Sequence, residues 1–131
     1  VKKIVAGLAA LAFLFPTAAH AETPSIVKQA HCKSYTPVSA SDMRKYPGLR
    51  KSERKDAGTC KINGTKVYVI TFKSKGQQSD WEFKLWVSYL PNEVWWNHGS
   101  KFVVMSQHGS KSAADAAVQR FGGITTNDWD N

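Results

Sequence analysis

The chain has 131 residues, with 18 Lys and Arg against 10 Asp and Glu, a formal net charge of +8. That size carries one domain around one core but not two. The charge favours polyanions such as cell-wall polymers, anionic lipid, nucleic acid or an acidic protein and disfavours basic targets, while specifying neither fold nor partner; for a chain that is exported, nucleic acid is not an expected partner.

The opening VKKIVAGLAALAFLFPTAAHA places Lys2 and Lys3 ahead of a twelve-residue apolar run, Ile4 to Phe15, followed by Pro16 and a small-residue Ala19-His20-Ala21 site. This is the layout of a secretory signal peptide over residues 1–21. The run is shorter than the roughly 20 residues that cross a bilayer, and no cysteine at the cleavage point offers a lipid anchor. The sequence therefore predicts a secreted or otherwise extracytoplasmic protein, residues 22–131, without a transmembrane segment. Its 16 basic and 10 acidic residues leave +6. An uncleaved amphipathic anchor is the competing reading. Val1 reads as a literally translated alternative start codon, hence a bacterial gene, although a trimmed chain would look the same.

Residues 22–57 show no sustained periodicity and read as an irregular basic segment, with at most a short helix opening at Ser41 or Asp42. Arg44, Lys45, Arg50, Lys51, Arg54 and Lys55 fall within twelve residues relieved only by Glu53. They are the candidate anion-binding residues, set against a merely solvated loop; such a contact would be salt-sensitive. The two cysteines, Cys32 and Cys60, are expected to pair outside the cytoplasm. With about 29 residues in the closed loop, the bridge contributes roughly 3 to 4 kcal/mol in the chain-entropy model.

Residues 58–131 read as an α+β core forming a single domain with 22–57. TCKINGTKVYVITF places Asn63-Gly64 between two alternating runs, a two-residue hairpin that sets Ile62 opposite Thr65 and Cys60 opposite Val67. SDWEFKLWVSYLP predicts a helix capped by Ser79 and Glu82 and stopped by Pro91. Trp81, Leu85 and Tyr89 form its buried stripe, widened by Phe83, Trp86, Val87 and Leu90. EVWWNHGSKFVVMSQ reads as a second hairpin, with its corner at a two-residue His98-Gly99 turn or in a longer loop. SKSAADAAVQRFGG predicts a last helix opened by Ser110 or Ser112 and ended by Gly122-Gly123, whose alanines allow close approach to the sheet. A short strand at Ile124 to Thr126 is a further option.

The order ββαββα predicts a four-stranded antiparallel-type sheet with two helices on one face, in a ferredoxin-like split arrangement. Lys66 to Phe72 and Lys101 to Ser106 are its central neighbours. Because both faces of these strands are apolar, residues 25–57 are expected to form a disulfide-tethered lid over Val67 and Val69. A face-to-face homodimer is the alternative to a monomer.

Trp95 and Trp96 point to opposite faces, so only one of them is available to a ligand. Trp96 and His98 are the candidate ligand-binding residues, weighed against plain packing and a turn corner. His31, His98 and His108 lack metal-binding spacing, and no nucleophile elbow, phosphate loop or zinc signature is present. No catalytic residue, metal or cofactor is implied.

Residues 59–86, TCKINGTKVYVITFKSKGQQSDWEFKLW, resemble the core of small exported actinobacterial proteins of unknown function. In these a cysteine precedes an Asp/Asn-Gly turn, a Thr-Phe strand end and a Trp-bearing helix. The resemblance implies an α+β fold and no activity; the chain lacks the lipid-anchor cysteine that many of those proteins carry. The leading expectation is a non-enzymatic binding or interaction protein at the bacterial cell envelope, contacting an anionic polymer or an acidic protein. A secreted inhibitor or phage-exclusion factor, and a small ligand-binding protein or enzyme with a pocket between sheet and N-terminal segment, are the alternatives.

Overall fold

A computed structural model describes residues 22–38, 51–89 and 93–127. The chain runs α1 (Glu22–Gln29), β1 (Lys33–Pro37), a 3-10 turn (Lys51–Glu53), β2 (Asp56–Ile62), β3 (Thr65–Thr71), α2 (Lys75–Ser88), β4 (Trp95–His98), β5 (Phe102–Ser106), α3 (Lys111–Phe121) and β6 (Ile124–Asn127). All strand pairs are antiparallel, in the order β1-β2-β3-β5-β4-β6. Among the described residues no helix is long and apolar enough to cross a membrane.

The first hairpin forms as its turn chemistry requires. Asn63 and Gly64 both hold positive φ, at 50° and 82°, and the ladder pairs Ile62 with Thr65 and Cys60 with Val67. Strands β3 and β5 are central neighbours, as expected, with Ile70 opposite Val103 and Val69 opposite Val104.

Two features correct the four-stranded, one-faced arrangement. The segment 22–57 is not wholly irregular: its described residues include α1 and β1, which add a helix and an edge strand. The eight residues of α1 are too few for a clear period, and Pro24 fits a first helical turn. Strand β1 ends on Pro37, tolerated because β1 pairs on one side only among the described residues.

The second correction concerns the last strand. In a ferredoxin-like sheet it would return beside β3, but β2 already occupies that seat. The chain instead crosses from β5 past β4 to the far edge, where β6 pairs with β4. The β3-α2-β4 and β5-α3-β6 crossovers thus step in the same lateral direction from strands of opposite sense. Right-handed crossovers of that kind place their helices on opposite faces.

The core divides accordingly. Under α2, Trp81 and Leu85 meet Ile70, Phe72, Trp96, Val103 and Met105. On the other face Val67, Val69, Phe102 and Val104 meet Val27 from α1, Ala113 and Ala117 from α3, and the cystine. The Cys32–Cys60 bridge is formed, with Cα atoms 5.6 Å apart. The expected lid over Val67 and Val69 is therefore shared: α1 supplies one part, fastened by the bridge and by a 2.9 Å hydrogen bond between the buried hydroxyls of Thr23 and Thr71. Helix α3 supplies the rest.

Candidate functional site

Helix α2 begins earlier than Ser79. Ser74 caps it by accepting from the Gln77 N–H at 3.0 Å, while Gln77 Oε1 accepts from the Lys73 N–H at 2.7 Å. Residues 74–77 carry the same Ser-x-x-Glu/Gln spacing as 79–82, and using the earlier pair adds a turn of helix. Glu82 is thereby moved from a cap to the middle of α2, where its carboxylate points at the sheet.

There Glu82 Oε1 accepts a 2.8 Å hydrogen bond from Trp96 Nε1, and its Oε2 lies 2.6 Å from His98 Nδ1. Gln78 Nε2 also lies 3.2 Å from that Nδ1. The Gln78 amide, however, directs its two hydrogens at the carbonyls of Gly99 and Phe102, at 3.0 and 3.1 Å. His98 Nδ1 accordingly donates to Glu82, and the other ring nitrogen has no hydrogen-bond partner among the described residues. Buried Gln78 acts as a clamp on the β4–β5 corner.

That corner differs from the expected one. Asn97 pairs with Val104 and His98 with Val103, and the Gly99 N–H bonds to Phe102 O at 2.9 Å. The loop residues are Ser100 and Lys101, the latter at φ 65°, two positions beyond His98-Gly99. Trp96 is 1% exposed and belongs to the core under α2. Half-buried Trp95 sits on the other face, with Lys111 Nζ 5.4 Å from its ring centroid.

An open cleft of about 530 Å³ lies between α2 and the outer strand β6. Glu82, Trp96 and His98 reach it from the core side, Phe83 and Trp86 from the helix, and Ile124 and Thr126 from the strand. The expectation that Phe83, Trp86 and Val87 widen the buried stripe is overturned: Phe83 and Val87 are 58% and 57% exposed and Trp86 is 37%. Ile124 is 61% exposed. The rings of Phe83 and Trp86 stand 5.5 Å apart. The thickness of Trp81, Trp96 and Phe72 holds α2 off the sheet, whereas the alanines of α3 allow close approach, so open space remains beside α2.

The cleft can receive an apolar side chain between Phe83, Trp86 and Ile124, and a donor group at the Glu82–His98 pair. Beside it, β6 has strand β4 on one side and no strand on the other among the described residues. Trp96 and His98, the two candidate ligand residues, do come together here, Trp96 as floor and His98 as rim. Phe83, Trp86 and Ile124 were missed because a helical period places a residue on a face without saying whether anything covers that face.

Of the basic run, Arg44, Lys45 and Arg50 and the side chain of Lys51 lie outside the described residues. Arg54 is not on a solvated face but 7% exposed, its Nε buried without a hydrogen-bond partner among the described residues. Half-buried Lys55 donates its backbone N–H to Thr71 O at 2.7 Å. Comparison with protein-family models, with curated proteins and with solved structures finds no match to this chain.

Proposed function

We propose that this is an exported, non-enzymatic interaction protein of the bacterial cell envelope, and that the cleft between α2 and β6 docks an extended segment of a partner protein. The observation that carries the reading is the placing of exposed Phe83, Trp86 and Ile124 along an outer strand with no strand beyond it among the described residues. A peptide added to a sheet edge gains main-chain hydrogen bonds from the strand and side-chain specificity from a flanking groove. Exposed aromatic residues grouped on one surface are typical anchors of such contacts. Export is supported by the disulfide and by the likeness of the first 21 residues to a signal peptide, and the resemblance of residues 59–86 to small exported actinobacterial proteins agrees with it.

The test is selection from a library of random ten-residue peptides, followed by amide NMR of the protein with the selected peptides. Peptides with alternating apolar residues should be enriched, with shifts concentrated at Ile124–Asn127 and the Trp86 indole. Exposed Trp86→Ser should lower affinity about tenfold or more without unfolding the protein. Shifts located elsewhere, or selected peptides indifferent to Trp86→Ser, would reject the reading.

A further inference from the structure

The sheet edge opposite β6 carries an arrangement that packing does not explain. Strand pairing sets Lys33 opposite Lys61, and Lys61 opposite Lys66, so three neighbouring strands place a lysine in one register row. Directly opposed residues share a face, with Cβ atoms about 4.5 to 5.5 Å apart. All three are exposed, and among the described residues none is ion-paired with a carboxylate. Lys66 lies over the Tyr68 ring at 5.4 Å.

At the β1 end of the row, a cavity of about 300 Å³ is lined by Lys33, Lys61, Asn63 and Arg120. Arg120 reaches it from α3, on the other face of the sheet. Its Nη1 donates to His31 O at 3.0 Å and its Nη2 to Asn63 Oδ1 at 3.3 Å. Both acceptors are neutral and no carboxylate among the described residues pairs with Arg120, so the guanidinium is held in place with three of its five N–H donors unused among those residues. Like charges directly opposite one another destabilise an antiparallel pair, so the opposed charges of the row work against the strand pairing. A multiply charged oxyanion seated against it would turn that repulsion into attraction.

We infer that Lys33, Lys61 and Arg120, continued by Lys66, form a binding site for the phosphate groups of a polyanion. A guanidinium fork matches phosphate oxygens bidentately, and ammonium groups serve as point charges beside it. Lysines spaced at the interstrand distance suit a ligand with successive charges better than a lone carboxylate. The site is separate from the α2–β6 cleft.

Two sources of phosphate are distinguished by two probes, fluorescein-labelled inorganic polyphosphate and vesicles containing phosphatidylglycerol, each titrated into the disulfide-bonded protein at several salt concentrations. Lys61→Gln should weaken binding about fivefold or more at low salt and lower the salt slope by about one contact. The control Lys73→Gln, an exposed position off the row with the same change in net charge, should weaken it less than twofold. Without ligand, Lys61→Gln should melt no lower than the parent. A differential loss on polyphosphate places the source in a soluble or wall-linked polymer, and one confined to vesicles places it in lipid headgroups; either supports the site. Equal losses in the two variants, or binding to neither probe, would overturn it. Trp86→Ser should leave these titrations unchanged, so failure of the cleft reading does not carry over.

Discussion

Asp115, half-exposed on α3, accepts a 2.6 Å hydrogen bond from Thr125 Oγ1 of β6 and a 3.1 Å one from Lys111 Nζ one turn earlier. The Thr125 hydrogen bond, then that of Lys111, holds its carboxyl below the usual aspartate range against a smaller opposing effect of desolvation. A carboxyl with a depressed folded-state pKa contributes stability that is present above its unfolded value and lost as pH falls through the folded one. Thr125→Val removes the larger cause, so Asp115 should titrate at a higher pH than in the parent. A carbon-detected NMR titration of its side chain reads this directly, and an unmoved midpoint would refute the assignment. The Lys111–Asp115 spacing is visible in the sequence; the Thr125 contact is not, because it depends on where β6 returns. Glu82 makes the same point: its spacing from Ser79 is that of a cap, yet Trp96 and His98, distant in sequence, decide what it binds.

At the scale of elements, the junction between α3 and β6 controls the cleft. Gly122 ends α3 at φ 79°, with its N–H on Val118 O at 2.9 Å. Gly123 follows at φ 91°, and a Cβ there would lie 2.5 Å from both Asn97 Oδ1 and His98 O. Gly122→Ala faces open space and should cost the backbone strain alone, about 1–3 kcal/mol. Gly123→Ala adds collision with β4, so its loss in urea unfolding should be the larger, with hydrogen-exchange protection of β6 reduced. Equal costs would show that the close approach is unimportant. The double glycine marks the helix end in sequence. That the second glycine seats β6 against β4 emerges only once the strands are assembled.

For the whole molecule, the cystine decides whether the N-terminal elements belong to the domain. It joins Cys32, between α1 and β1, to Cys60 in the middle of β2, and α1 covers part of the Val67 and Val69 face. Replacing both cysteines by alanine should lower the unfolding free energy by about 3 to 4 kcal/mol in the chain-entropy model. Hydrogen exchange should show α1 and β1 losing protection more than the β3–β5 centre. Uniform protection after that change would mean that α1 docks without its tether. The same bridge brings Lys33 and Lys61 side by side, so the cationic row also rests on it.

The sequence alone determined those features that rest on neighbours in the chain: the Asn63-Gly64 hairpin with its register, the end of α3 at Gly122 with its start narrowed to Ser110 or Ser112, and the pairing of the two cysteines. It also identified β3 and β5 as central, because strands buried on both sides must be apolar on both sides. Tertiary structure decided the rest. With β2 seated beside β3, the final strand was displaced to the opposite edge and α3 to the opposite face. That exchange left Phe83 and Trp86 uncovered beside Ile124, an outcome no local pattern contains, since burial depends on which distant element arrives to cover a face.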